Sequence, residues 1–138
     1  MAAERARISS APADRLWSIW SDPTHWQDWN PNVSRVELEG PFAVGTRGVM
    51  HSGDGQVHKI QFTDIQPGKQ FTLSATAIPG ALLYFTCKVE SAAGGSRISQ
   101  AVDMKGPLAP IFRPMMSNRI AATFTPILDG LANKAEQA

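Results

Sequence analysis

The stretch from Val33 to Lys105 constrains the fold more than any other feature, because short alternating runs of apolar and polar residues are parted there by turn-forming glycines and prolines. The punctuation falls at Gly40 to Gly45, Gly53 to Gly55, Pro67-Gly68, Pro79 to Ala81 and Gly94-Gly95. Such spacing predicts six strands in an antiparallel meander. Side chains of a strand alternate between faces, so the register of each hairpin decides which set is buried. With Asp54-Gly55, Pro67-Gly68 and Gly94-Gly95 as two-residue loops and Pro79 to Ala81 as a three-residue loop, one row across the sheet holds Leu38, Arg47, Phe62, Leu73, Cys87 and Val102. The next row holds Val36, Val49, Ile60, Ala75, Phe85 and Met104. Lys59, Gln61, Thr63, Thr72, Ser74, Thr76 and Tyr84 collect on the other face. A sheet with one apolar and one wet face needs a cover on the apolar side.

The C-terminus supplies that cover. Met115, Met116, Ile120, Phe124, Ile127, Leu128 and Leu131 recur with helical period over Met116 to Lys134. Pro107, Pro110 and Pro114 make the preceding segment a poor regular helix, and Pro126 predicts a kink between Ala122 and Pro126. Ahead of the meander, Ala6 to Ser10 reads as a seventh strand. Pro12 then opens a helix over Ala13 to Ser21, whose Leu16, Trp17, Ile19 and Trp20 form an apolar face. Pro23 to Asn30 reads as a single helical turn with Trp26 and Trp29 on one side. The class is α+β, one domain over residues 1–138: a seven-stranded curved antiparallel sheet wrapped round a long C-terminal helix, with two short helices after the first strand.

Thirteen Lys and Arg against twelve Asp and Glu leave a formal charge of +1, with no footprint that would draw nucleic acid or anionic lipid. The single cysteine, Cys87, excludes an intrachain disulfide and fits a reducing cytosol. The opening MAAERARISSAPADRLW carries charges where a signal peptide has its apolar run, and no apolar run reaches membrane-spanning length. A soluble, cytoplasmic monomer or homodimer without stable membrane insertion is the expectation. The glycine-rich GDG and GG elements are hairpin turns and not phosphate loops, because neither leads from a strand into a helix, and no cofactor is expected.

The order strand, two helices, six-stranded meander, long terminal helix resembles the START-like (SRPBCC) superfamily, and more narrowly its polyketide cyclase/dehydrase-like branch. The residues that carry the resemblance are ISSAPADRLWSIWSDPTHWQDWNPNVSRVEL, GPFAVGTRG, DIQPGKQFTL and GGSRISQAVDMKGPLAPIF, together with the last helix. It implies a helix-grip fold enclosing a cavity, with Trp26, Trp29, Asn30 and Pro31 matching the family's Trp-Asn-Pro region beside the cavity mouth. No catalytic set of the true cyclases is matched, so the resemblance does not carry an enzymatic activity with it.

Specificity in an apolar pocket comes from a few placed polar groups. The inward face offers Ser34, Arg47, His51, His58, Asp64 and Gln100 in the register above. His51 and His58 fall opposite each other across the hairpin. They read either as a proton-transfer pair or as two solvated histidines near a hairpin tip. With His25 on another element, they fall short of a metal site. Arg47 on an apolar row reads as an anchor for a ligand carboxylate, phosphate or enolate, or else as a partner of Glu37 or Asp64 or a guanidinium reaching solvent. Cys87 reads as a small buried apolar side chain and not as a nucleophile. Trp26 and Trp29 could stack on a ligand. Ile60, Phe62, Leu73, Phe85, Val102, Met104, Met116, Ile120 and Phe124 provide apolar lining, and the small Ala75 and Ala77 leave volume for a cavity. Binding of a small hydrophobic molecule, lipid-like or polyketide-like, is the reading these residues favour. The alternative is a polyketide cyclase/dehydrase-type enzyme acting on a bound poly-keto or aromatic substrate.

Overall fold

The computed structural model describes residues 3–78 and 80–137. Its strands are β1 (Ala3–Ser9), β2 (Val33–Leu38), β3 (Arg47–Ser52), β4 (Val57–Gln66), β5 (Gln70–Ile78), β6 (Ala81–Ala92) and β7 (Gly95–Lys105). They form one antiparallel sheet in the order β1-β7-β6-β5-β4-β3-β2, so the meander is complete and β1 closes it beside β7. Helix α1 (Ala13–Trp20) and a 3₁₀ turn over Pro23–Asp28 join β1 to β2. Helices α2 (Ala109–Ala122) and α3 (Phe124–Glu136) cover the inner face.

The hairpins show how the sequence sets the register and where the expected one slips. Between β3 and β4 the loop is Gly53-Asp54-Gly55: the Gly55 N–H donates to the Ser52 carbonyl, and the Ser52 N–H to that of Gln56. Gly55 takes a φ of 91°, a conformation that glycine adopts without a Cβ penalty. The loop is one residue longer than the Asp54-Gly55 loop expected from the sequence, and β3 therefore slides by one position against β4. Gly48, Met50 and Ser52 turn inward, and Arg47, Val49 and His51 turn outward. Between β4 and β5 the turn is also longer than expected, with Gln66 opposite Gln70, but a bulge between Phe62 and Asp64 restores Phe62 opposite Leu73 and Ile60 opposite Ala75. In β6 the error is two residues, so Phe85 and not Cys87 lies opposite Leu73 and Val102, while every side chain keeps its face. The expectations for Pro79 and for the side chain of Ala77 fall outside the described residues.

The covering helix begins at Ala109, well before the expected Met116. Pro110 lies in the first turn, where a missing N–H leaves no bond unmade, and Pro114 removes only the bond to the Pro110 carbonyl. The helix breaks at Thr123, inside the expected kink. Pro126 cannot donate to Ala122, and Thr123 folds back on Ile120 with its N–H at 3.0 Å and its hydroxyl at 2.6 Å.

The core divides into two parts. At one end Phe71 meets Trp17, Trp20, Trp26, Phe42 and Phe62 in a continuous aromatic cluster. The other end, under the break between α2 and α3, is hollow.

Candidate functional site

The hollow is a cavity of about 200 Å³. Its floor is the inner face of the sheet, with Leu73 and Ala75 from β5, Leu83, Phe85 and Cys87 from β6, and Gln100 from β7. Ile120, Thr123, Phe124 and Ile127 roof it at the helix break. Trp20, Trp26, Trp29 and Asn30 wall it from the segment between β1 and β2, and Asn32 and Val33 lead into β2, where Val33 lies opposite Ser52 and the wall continues through Met50, Ser52 and His58 of β3 and β4.

Local bonds hold these walls. The Trp26 indole N–H donates to the Trp20 carbonyl at 2.9 Å, tying the 3₁₀ turn to α1. The Asn30 side-chain oxygen accepts from the Asn32 N–H, and the Asn32 amide reaches the Thr123 carbonyl at 3.3 Å, linking the wall to the helix break. His58 bridges neighbouring strands, its Nδ1 at 3.0 Å from the Thr76 carbonyl and its Nε2 at 3.0 Å from the Ser52 hydroxyl. Since a carbonyl only accepts, the proton sits on Nδ1 and Nε2 accepts from Ser52.

Among the described residues, no lysine, arginine or carboxylate lines the cavity. Burial pushes the Cys87 thiol up, so it presents a neutral apolar wall and not a thiolate. Among the described residues, Trp29 Nε1 and Gln100 Oε1, buried atoms of two lining residues, find no hydrogen-bond partner. Among the described residues no group of three or more His, Cys, Asp or Glu side chains is arranged to hold a metal ion.

Of the residues expected from the sequence, Trp26, Trp29, His58, Leu73, Ala75, Phe85, Gln100, Ile120 and Phe124 come together around this cavity. Ile60, Phe62, Val102 and Met104 face inward and are buried next to lining residues without lining the cavity themselves, Phe62 with Phe42 packed on its ring at 4.9 Å. Met116 packs against the core without reaching the cavity. Arg47 is a correction: it lies exposed on the outer face opposite Gln61 and cannot anchor a ligand inside. His51 is another, since it shares that outer face with Glu37, 3.3 Å away, and is not paired with His58. Both errors have one cause, the extra residue in the β3–β4 loop. The same slip hid Met50 and Ser52, which the longer loop would have pointed inward. Trp20 and Ile127 were legible as apolar positions but not as cavity walls, and Leu83 carried no signal that set it apart.

Comparison with known proteins gives these features a context. No curated protein matches the chain. A norcoclaurine synthase from Thalictrum flavum superposes with a TM-score of 0.77 at 17% identity, covering 100% of this chain and 94% of that one. A protein of Chromobacterium violaceum gives 0.76 at 17% identity, covering 99% and 98%. The di-domain ARO/CYC BexL from the BE-7585A biosynthetic pathway gives 0.76 at 17% identity, and the chain spans 50% of its length. Likeness at this identity is a likeness of fold, the helix-grip arrangement of curved sheet and C-terminal helix. A family model described as polyketide cyclase/dehydrase and lipid transport goes further, matching residues 2–136. Because that match runs through every element of the fold and every wall of the cavity, the chain belongs to the polyketide cyclase/dehydrase and lipid transport family.

Proposed function

We propose that the protein binds a small, largely apolar molecule in the cavity between its sheet and its broken C-terminal helix, residues 1–138 acting as one domain. The cavity carries this reading. Protein interiors hold few voids larger than a water molecule. An apolar hollow of about 200 Å³ that opens to solvent on one side is therefore not ordinary core and has the concave, mostly apolar form of a ligand site. An apolar hollow of about 150 Å³ accommodates benzene, which sets the scale of the ligand at one or two rings or a short branched chain. We take the protein to act in the cytoplasm as a monomer or homodimer, without nucleic acid or membrane as a partner. In support, the formal charge is +1 and no described helix is long and apolar enough to cross a membrane. Native mass spectrometry of the protein purified from its own host is expected to show a small molecule travelling with the chain. Recovery of the bare chain alone, together with failure to take up any small aromatic compound, would defeat the proposal.

A second reading, an enzyme of the cyclase/dehydrase type, has one observation behind it. His58 lines the cavity with Nδ1 on the Thr76 carbonyl and Nε2 accepting from the Ser52 hydroxyl, a hydrogen-bonded His-Ser pair in which the imidazole can take a proton through Ser52, itself a lining residue. Consumption of a poly-β-keto substrate by the wild type, lost in His58→Gln, is the result this reading requires. A wild type that binds such a compound and returns it unchanged removes the reading.

A further inference from the structure

We infer that Ser52 and His58 form a nucleophile and its base in the wall of the cavity, and that the protein transfers acyl groups from small neutral esters through Ser52 Oγ. The inference rests on the binding function proposed above and adds to it a covalent activity and a substrate class.

Three observations converge. The first is the bond between the two side chains: His58 Nε2 lies 3.0 Å from the Ser52 hydroxyl, the reach at which an imidazole draws a proton from an attacking oxygen. The second is the group behind the ring. Nδ1 lies 3.0 Å from the Thr76 carbonyl, which holds the proton on Nδ1 and leaves Nε2 free of it, the tautomer that a general base needs. A carbonyl orients the ring as a carboxylate does but carries no full charge, so the pair is a weaker base than one backed by an aspartate. The third is placement. Ser52 at the end of β3 and His58 near the start of β4 are both half-buried and both line the cavity. Among the described residues the Ser52 hydroxyl has no partner besides His58, so its lone pairs are left for an incoming carbonyl carbon.

The chemistry follows from this geometry. As Ser52 Oγ bonds to the ester carbonyl carbon, its proton passes to His58 Nε2. The bond to the leaving oxygen then breaks with its electron pair, the alcohol departs with the proton from His58, and the acyl group stays on Ser52. Water completes the cycle: His58 takes a proton from it, its oxygen adds to the acyl carbon, and the acyl–Oγ bond breaks as Ser52 recovers a proton. Asn32, whose carbonyl accepts from the N–H of Gly53, the residue after Ser52, at 3.1 Å, also lines the cavity. Its side-chain amide carries one N–H beyond that given to Thr123, a donor of the kind an oxyanion needs. Charge sets the substrate class. With no lysine or arginine among the described lining residues, a neutral ester enters at little cost, whereas the carboxylate product is poorly held there and leaves.

The test uses p-nitrophenyl acetate, with its uncleavable ether analogue 4-nitrophenetole as the measure of binding. Wild-type protein is expected to release an initial burst of p-nitrophenolate, and peptide mass spectrometry of the quenched reaction to place the acetyl group on Ser52. Ser52→Ala and His58→Gln are expected to lower the rate of release about a hundredfold or more, the scale of a positioned general base, while calorimetry shows 4-nitrophenetole still bound. The position of the acetyl group in the wild type decides the question independently of either variant. Acetyl found only on lysines or on His58, or release undiminished in Ser52→Ala, would overturn the assignment of Ser52. Binding of 4-nitrophenetole with no acylation by the ester would overturn the activity and leave the cavity as a binding site. Failure of 4-nitrophenetole to bind would overturn the binding reading for compounds of this size, and the inference with it.

Discussion

Phe71→Ala is expected to lower the free energy of unfolding by about 3 to 5 kcal/mol, the range for truncating a fully buried aromatic side chain, and Phe85→Ala by noticeably less. Phe71 is the hub of the solid half of the core. It is 0% exposed, and its ring centroid lies 5.5 Å from that of Phe42, 5.8 Å from Trp20, 6.0 Å from Trp26 and 6.1 Å from both Trp17 and Phe62. Most of these contacts are edge-to-face, the arrangement in which an aromatic pair adds to its burial energy. Removing the ring opens a new void that five large neighbours cannot close, since each is held by others. Phe85 is different. It touches Phe124 at 5.9 Å on one side and borders the existing cavity on the other, so truncation enlarges a space already present and forfeits fewer contacts. Denaturant melts of the two variants beside the wild type decide the matter. Equal losses would mean that the cavity wall is as tightly packed as the aromatic hub, and the argument for a ligand site would go with it.

The contrast between these two phenylalanines also shows what a sequence can and cannot disclose. Strand alternation placed both Phe85 and its neighbours Leu73 and Val102 on the inner face, and this survived an error of two positions in β6 because the period of a strand is two. An error of one position in β3 did not survive. It moved Arg47 and His51 from the inside to the outside, and with them the ionic anchor and the histidine pair. Loop length is the weak point: a Gly-Asp-Gly tip fits both loop lengths locally, and the choice falls to hydrogen bonds that form only when the strands meet. The helix break followed from Pro126, a local property of the chain, while the early start at Ala109 was masked by prolines that first-turn geometry tolerates. Ala75 and Gln100 were visible as a small and a polar residue on the inner face. The site of the hollow was not, because it depends on six aromatic rings from five separate segments filling the other end of the sheet.

Gly130→Ala supplies a test in which helix propensity and tertiary packing oppose each other in sign. Within a helix such as α3, replacing glycine by alanine ordinarily stabilises by about 0.5 to 1 kcal/mol through backbone entropy. Here a methyl group at position 130 would be driven into the backbone carbonyl oxygen of Trp29, with the carbonyl carbon at 3.2 Å and the Pro31 ring at 3.9 Å behind it. A carbonyl cannot rotate out of the way as a side chain can, so α3 itself must move off the wall formed by Trp29 and Asn30. The expected result is a net destabilisation of about 2 to 3 kcal/mol, the upper part of the range for overpacking. Function should follow, because the same displacement shifts Ile127, a lining residue one turn earlier on α3, and uptake of small apolar compounds should weaken together with stability. A thermal or denaturant melt gives the sign directly. A stabilised Gly130→Ala protein would show that α3 does not press on the Trp29 carbonyl, and the roof of the cavity would have to be held by other contacts.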